Sequence, residues 1–333
     1  MNLRRIAVCA LVTMFLISAF TAGAAEADPL KGRITLYTSQ PDRDVTQLIA
    51  AFNEKHPGIG VDVFRSGTEE VVSKIRAEHR VRSVLADVLL VADSVSFENL
   101  KEEGMLLAYE SPEVKGIPEE YLDKDRTYAG TKLITTGIIY NTTKVAEPPE
   151  AFADLAKEAF KNNLIMPSPL YSGAAAYNLG VMTRTEGLGW EFFEKLKENN
   201  TRVERGNGAI LTAVAAGERS CGIIVDFMAV RARESGSPVE FVYPAEGSPA
   251  ITEPIGILQT TRVPGLAKAF VDFVLSEEGQ KLAAEMGYTP VKDGVEAPKG
   301  LKSVGEIKSM VYDIEVLKAA REAEKARFSA MFQ

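Results

Sequence analysis

The chain reads as an α/β protein of two doubly wound lobes, joined by a hinge with a ligand cleft between them. Three observations predict this. Short runs rich in β-branched and aromatic residues alternate with stretches whose apolar residues recur at helical spacing. The alternation occurs twice, on either side of a long extended segment at 132–145. Removing an N-terminal leader leaves about 308 residues, more than the roughly 100–200 of a single domain.

The leader is residues 1–25. Arg4 and Arg5 precede the apolar run Ile6 to Phe20, and small residues follow, with an A-x-A triplet at Ala22-Gly23-Ala24. This is the pattern of a secretory signal peptide cut near Ala24 or Ala25. The apolar run is about 15 residues, short of the roughly 20 that a membrane span requires. Cys9 lies inside the run rather than after a cleavage motif, so a lipid anchor is not expected. The mature protein is expected in the periplasm.

RITLYTS (33–39) then reads as a strand, VTQLIAAFNEKHP (45–57) as a helix stopped by Pro57, and IGVDVFRS (59–66) as a second strand. EEVVSKIRAEHR (69–80) returns to helix and ADVLLVAD (86–93) to strand. After KLITTGIIYNTTKV (132–145), whose first half is expected to cross between lobes, a helix at 151–163 precedes the strand LIMPSP (164–169). Helices are expected at 173–187, 190–200 and 206–218, and CGIIVD (221–226) as a buried strand. The stretch 266–287 reads as one long helix with Gly287 as its stop. Residues 307–332 read as an amphipathic helix or pair whose charges form a solvated face. The expected division is 31–133 plus 248–290 for lobe 1, 134–247 for lobe 2, and C-terminal helices at 291–333 packing mainly on lobe 2.

Lys and Arg number 38 against 46 Asp and Glu, a formal charge of −8, which argues against a nucleic-acid partner. Beyond the leader the only cysteine is Cys221, so no internal disulfide is expected despite the oxidising compartment. No G-x-S-x-G elbow, H-E-x-x-H or phosphate-loop motif occurs, and GNG at 206–208 lacks the third glycine of a dinucleotide fingerprint. The reading is therefore not an enzyme, with a secreted hydrolase as the weakest alternative, and no cofactor is expected.

In such a fold, ligands meet loops at the carboxyl ends of strands. Those ends are Ser39-Gln40, Ser66-Gly67-Thr68 and Asp93-Ser94, with Thr136 in the crossing segment. A second candidate lies in PSPLYSGAAAYNLG (167–180), inside a run from Asn162 to Thr183 that holds no charged side chain. Tyr171-Ser172-Gly173 starts a helix whose unpaired N–H groups and positive dipole end attract an anion. The competing reading is that Ser172 merely caps that helix.

The segments LYTSQ (36–40), FNEKHPGIGVDVFRSGTEEVVSKI (52–75), ADVLLVAD (86–93), TGIIYNTTKV (136–145) and MPSPLYSGAAAYNLG (166–180) resemble the type II periplasmic solute-binding proteins of bacterial ABC importers. So do GNGAILTAVAAGE and CGIIVDFMA within 206–229, YPAEGSPAITEPIGIL (243–258) and FVDFVLSEEGQKLAAEMGYTPV (270–291). The group includes binders of ferric iron, phosphonates, sugar phosphates and thiamine. The resemblance implies that Ser172, Gly173 and Ala174 contact a bound anion, and that Asp226 and Glu253, the latter placed in a loop, accept hydroxyl or ammonium groups. It also implies a monomer that delivers a small anionic or zwitterionic solute to an inner-membrane ABC permease. Iron-binding members use an adjacent tyrosine pair. Here Asp226-Phe227 stand where that pair would lie, and the only histidines, His56 and His79, read as surface positions. A ferric-iron carrier with atypical ligands remains the alternative to a binder of phosphorylated or phosphonate compounds.

Overall fold

The computed structural model describes residues 30–332; the expected leader and Cys9 lie outside the described residues. Lobe 1 opens with three parallel strands, β1 (Gly32–Thr38), β2 (Ile59–Arg65) and β3 (Val88–Leu90), linked by α1 (Asp42–Lys55) and α2 (Thr68–Arg80). Helix α3 (Ser94–Glu102) and the short β4 (Leu106–Leu107) follow, and β5 (Tyr128–Asn141) then leaves the lobe. Lobe 2 holds β6 (Leu164–Pro167), α4 (Gly173–Met182), α5 (Gly189–Glu198), β7 (Arg202–Glu204), α6 (Asn207–Ala215), β8 (Cys221–Val225), α7 (Asp226–Glu234) and β9 (Val239–Val242). The return strand β10 (Ser248–Leu258) leads to α8 (Pro264–Leu275), α9 (Glu277–Glu285), β11 (Thr289–Pro290), β12 (Ser309–Met310) and α10 (Ile314–Phe332).

Two long strands carry the chain between lobes. The first-lobe sheet runs β2-β1-β3-β10-β5, and β5 continues into β8-β6-β7 of the second. Within β5 the partner changes at one peptide: Thr135 is the last residue paired with β10, opposite Ala250, and Thr136 the first paired with β8, opposite Val225. Twelve of the fourteen residues of β5 are buried, as a strand covered on both faces requires. Each lobe has its own core. Phe52 of α1 is fully buried against Phe270 and Phe273 of α8, while Phe193 and Phe192 of α5 pack edge to face in lobe 2.

Three stretches differ from their sequence reading. Residues 151–163 form two short 3₁₀ turns rather than one helix. Their backbone groups are claimed from outside: Glu246 accepts from the N–H of Phe152 and Ala153, and Asn199 donates to the carbonyls of Leu155 and Lys157. The stretch 266–287 breaks into α8 and α9 at Ser276, which is extended and whose Oγ accepts from Gly279 N–H as a new cap. Gly287, at φ +87°, follows the end of α9. Glu253 sits not in a loop but inside β10, at a register shift between Thr252 and Pro254, where proline has no N–H for the ladder.

The C-terminal helix α10 straddles both lobes, and its charges are not merely a solvated face. Arg321 is buried and bonds Asp93 of lobe 1 at 2.8 Å and Glu69 of α2 at 2.6 Å. Lys325 joins Glu69 at 2.7 Å. On the other side Glu324 pairs with Arg184, and Phe328 packs edge to face on Phe193 of lobe 2. Residues 318, 321 and 325 share one helix face, and a row of carboxylates from lobe 1 meets it. Burial opposes ionisation of Glu69, yet Arg321 and Lys325 hold its carboxyl below the ordinary value.

Candidate functional site: an interlobe cleft

Between the lobes lies a cleft of about 520 Å³. Five helices open on it, and the residues capping them, Pro41, Gly67, Ser172, Gly206 and Val225, all belong to its wall. Each follows a strand: the strand ends at the sheet's carboxyl edge and the chain enters a helix after at most five residues. In α4 the Ser172 Oγ accepts from Ala175 N–H at 3.3 Å, and the Ala176 N–H reaches the Ser172 carbonyl. Helix geometry leaves the N–H groups of Gly173 and Ala174 without an intrahelical acceptor. Ser172 thus caps the helix and also lies in the cleft wall.

Two guanidinium groups add to the positive end. Arg65, at the end of β2, donates from Nε to the Gln40 carbonyl at 2.9 Å. Arg205 lies 4.3 Å above the Tyr171 ring and bonds Glu70 of the opposite lobe at 2.6 Å. The rest of the wall is largely apolar, with Ile134, Val225, Phe227, Met228 and Tyr288. A site of this kind favours an anion at one end and a less polar body at the other.

Of the residues expected at the site, Ser39, Gly67, Thr68, Ser172, Gly173, Ala174 and Glu253 line this cleft. The others lie beside or behind it. Gln40 is buried, its amide donating to Glu253 Oε2 at 3.0 Å. The Ser66 hydroxyl donates to Glu70. Asp93 caps α3 and takes Arg321, and Ser94 begins that helix. Thr136 accepts from the Asn178 amide at 3.0 Å. Asp226 is turned into the hinge strand: it accepts from Thr135 Oγ1 at 2.6 Å, and from the N–H groups of Thr135 and Phe227.

Sequence reasoning passed over the start of α6 (Gly206 to Ala209), the two arginines and Tyr288. For α6 the signal was present, since GNG fails as a dinucleotide motif yet suits a helix start that comes close to a ligand. Arg65 directly precedes the Ser66-Gly67-Thr68 turn, where a cation could have been noticed.

Burial pushes the Asp226 carboxyl up to about 6, against hydrogen bonds from Thr135 and from backbone N–H groups that favour the charged form. A folded-state value above the unfolded one means that the native state binds the extra proton. This contribution to stability is full below the unfolded value near 3.8 and is lost as pH rises through about 6. Asp226→Asn is expected to abolish that loss, worth on the order of 2–3 kcal/mol. Urea unfolding of both proteins at pH 4, 5, 6 and 7 checks it. Parallel pH profiles would show that folding leaves this carboxyl unshifted.

The lobes touch closely around the cleft. A Cβ added at Gly173 would lie 2.6 Å from the Ala92 carbonyl oxygen and 2.8 Å from both Asp93 Oδ2 and Thr68 Oγ1, all in lobe 1. Glu69 N–H donates to the Tyr171 carbonyl, and Arg231 of α7 holds Asp44 of α1 at 2.9 and 3.2 Å. Asp44 also accepts from the Tyr288 hydroxyl, whose ring lies 4.2 Å from that of Phe227.

Comparison with known proteins extends the likeness over most of the chain. A 2-aminoethylphosphonate-binding periplasmic protein of Salmonella typhimurium, itself a putative assignment, is 25% identical over 253 residues, covering 72% of each chain. An Fe(3+)-binding periplasmic protein of Serratia marcescens is 23% identical over 284 residues, covering 82% of this chain and 81% of its own. The periplasmic binding protein AfuA of Actinobacillus pleuropneumoniae, solved with exogenous fructose 6-phosphate, superposes with a TM-score of 0.84 at 24% identity, over 91% of this chain and 99% of that one. Residues 83–318 match the family described as bacterial extracellular solute-binding protein, and the chain, with its two lobes and interlobe cleft, belongs to that family.

Proposed function

We propose that the protein is the periplasmic solute-binding component of an ABC importer, and that it captures a small phosphorylated or phosphonate compound in the cleft for delivery to the permease. The observation that carries this reading is the convergence of five helix N-termini, with Arg65 and Arg205, on one cleft of small-molecule size. The periplasmic relatives and the secretory pattern of residues 1–25 support the location. The mechanism is closure about β5 and β10. A ligand that touches both lobes stabilises the closed form, and only that differential contact shifts the population.

Thermal-shift screening of the mature protein tests it, with 2-aminoethylphosphonate, sugar phosphates, inorganic phosphate, thiamine and Fe(III) as probes. At a hundred times its Kd a ligand contributes about 2.7 kcal/mol of stability, enough for a clear rise in Tm. A rise with phosphorylated or phosphonate probes is expected. A response to Fe(III) alone, with a visible charge-transfer colour, would replace this reading with that of an iron carrier. Against iron stands the donor set: the Tyr288 hydroxyl is donated to Asp44, and Asp226-Phe227 stand where iron-binding members carry an adjacent tyrosine pair.

Ser172→Asp should weaken binding of a phosphorylated ligand by at least about a hundredfold, because a fixed negative charge then faces the anion. Aspartate caps helices as well as serine does, so Tm should hold. Unchanged affinity in calorimetry would remove the anion from the start of α4.

A further inference from the structure

We infer that Lys132 sets ligand specificity by cancelling the charge of Glu253, so that this end of the cleft receives a hydroxyl rather than an ammonium group. The inference rests on the anion reading above and narrows it: the ligand is a phosphate ester or phosphonate whose remainder carries no positive charge.

Glu253 is a carboxylate in the cleft wall, and alone it would suit an ammonium group. It is not alone. The Lys132 and Glu253 side chains are only 3% and 4% exposed and form a direct ion pair on Oε2. The same oxygen accepts from the Gln40 amide at 3.0 Å. Lys132 also lies 4.8 Å from the Tyr288 ring, another residue of the cleft wall, and 3.4 Å from Thr131 Oγ1. An ammonium group seated on Glu253 would therefore meet Lys132 within a few ångströms, in a place dry enough for like charges to repel. A hydroxyl would not. A carboxylate engaged through one oxygen keeps acceptor capacity for a neutral donor.

No other carboxylate offers the ammonium a better seat. Asp226 is engaged by Thr135, Glu70 by Arg205, and Asp93 and Glu69 by Arg321. Asp42 stands at the rim with its side chain 87% exposed, 3.9 Å from Arg65, where water screens it. Among the described residues, then, each carboxylate in or next to the cleft has a cation or a hydroxyl partner. The apolar surface of Val225, Phe227 and Met228 suits an uncharged ligand body.

The experiment uses two matched pairs in which a hydroxyl replaces an ammonium group: 2-hydroxyethylphosphonate against 2-aminoethylphosphonate, and glucose 6-phosphate against glucosamine 6-phosphate. Calorimetric Kd values at pH 7.0 are expected to favour the hydroxyl member of a binding pair by roughly tenfold or more. Equal or tighter binding of the amino member overturns the inference and leaves the anion reading standing. Binding of neither pair, nor of inorganic phosphate, overturns both. In Lys132→Met the preference should shift at least tenfold towards the amino member, since Glu253 is then uncompensated. Lys132→Met combined with Glu253→Gln removes both charges and should restore the hydroxyl preference, and it keeps the test open should the single variant fold poorly. A ratio unmoved by either variant also overturns the assignment.

Discussion

Replacing Arg321 by leucine is expected to lower stability by about 3–5 kcal/mol, the usual cost of leaving a buried ion pair with one partner. At roughly 2–4 °C per kcal/mol for a unit of about 150–250 residues, the scale of one lobe, Tm should fall by about 6–20 °C. Two carboxylates lose their cation at once. Asp93, fully buried, keeps only its bonds to Ser96, while Glu69 retains Lys325. The size of the defect should depend on pH in a defined sense. An unpaired buried carboxylate is relieved by protonation, so the difference from wild type should shrink as pH falls from 8 towards 5. Differential scanning calorimetry at both pH values reads it. Combining Arg321→Leu with Asp93→Asn and Glu69→Gln should recover much of the loss, since replacing a whole buried charge cluster is often close to neutral. A shift of less than about 1 kcal/mol for the single variant would mean that α10 is held by its apolar face alone.

The second large effect is functional and leaves the fold intact. Gly173→Ala is expected to weaken ligand binding by roughly 5- to 150-fold with little change in Tm. The added methyl would meet the Ala92 carbonyl oxygen at 2.6 Å, and a backbone atom at the end of β3 has little room to retreat. Overpacking of this kind costs about 1–3 kcal/mol. Here the cost falls on the closed form, because Gly173 and its three neighbours belong to different lobes, so parting them about β5 and β10 relieves the contact. An apparent affinity is reduced by the fraction of protein that is competent to bind. Small-angle scattering of the variant should show a larger radius of gyration than wild type at saturating ligand. Gly265→Ala in α8, where the added methyl meets nothing within 4 Å, is the control and should change neither quantity. Wild-type affinity in Gly173→Ala would show that the lobes do not need this contact in the liganded state.

These two residues illustrate what was legible in the chain and what was not. The order of strands and helices in both lobes follows from local periodicity, which depends on neighbours within one or two turns. So does the position of the α4 start: Pro167 and Pro169, a serine and a glycine announce a helix beginning regardless of what lies opposite. The stop at Gly287 belongs to the same class. What failed depended on distant groups. Residues 151–163 have helical spacing, but Glu246 and Asn199 take their backbone bonds. Asp226 stands at a strand end, as a ligand residue would, but Thr135, 91 positions earlier, takes its carboxylate.

The charges were least legible of all. Arg321 looks like one more cation on an amphipathic helix, and only the packing of α10 across both lobes places it between Asp93 and Glu69. Lys132 reads as a polar residue at the start of an extended segment, and its partner lies 121 positions away on the returning strand. By itself, then, the sequence determined the α/β class, the two-lobed plan and the glycine- and serine-marked helix starts, because each depends on short-range backbone preference. The tertiary structure alone decided which of those starts face one cleft and which carboxylates have been neutralised, because electrostatic partnership depends on distance in space and not on position along the chain.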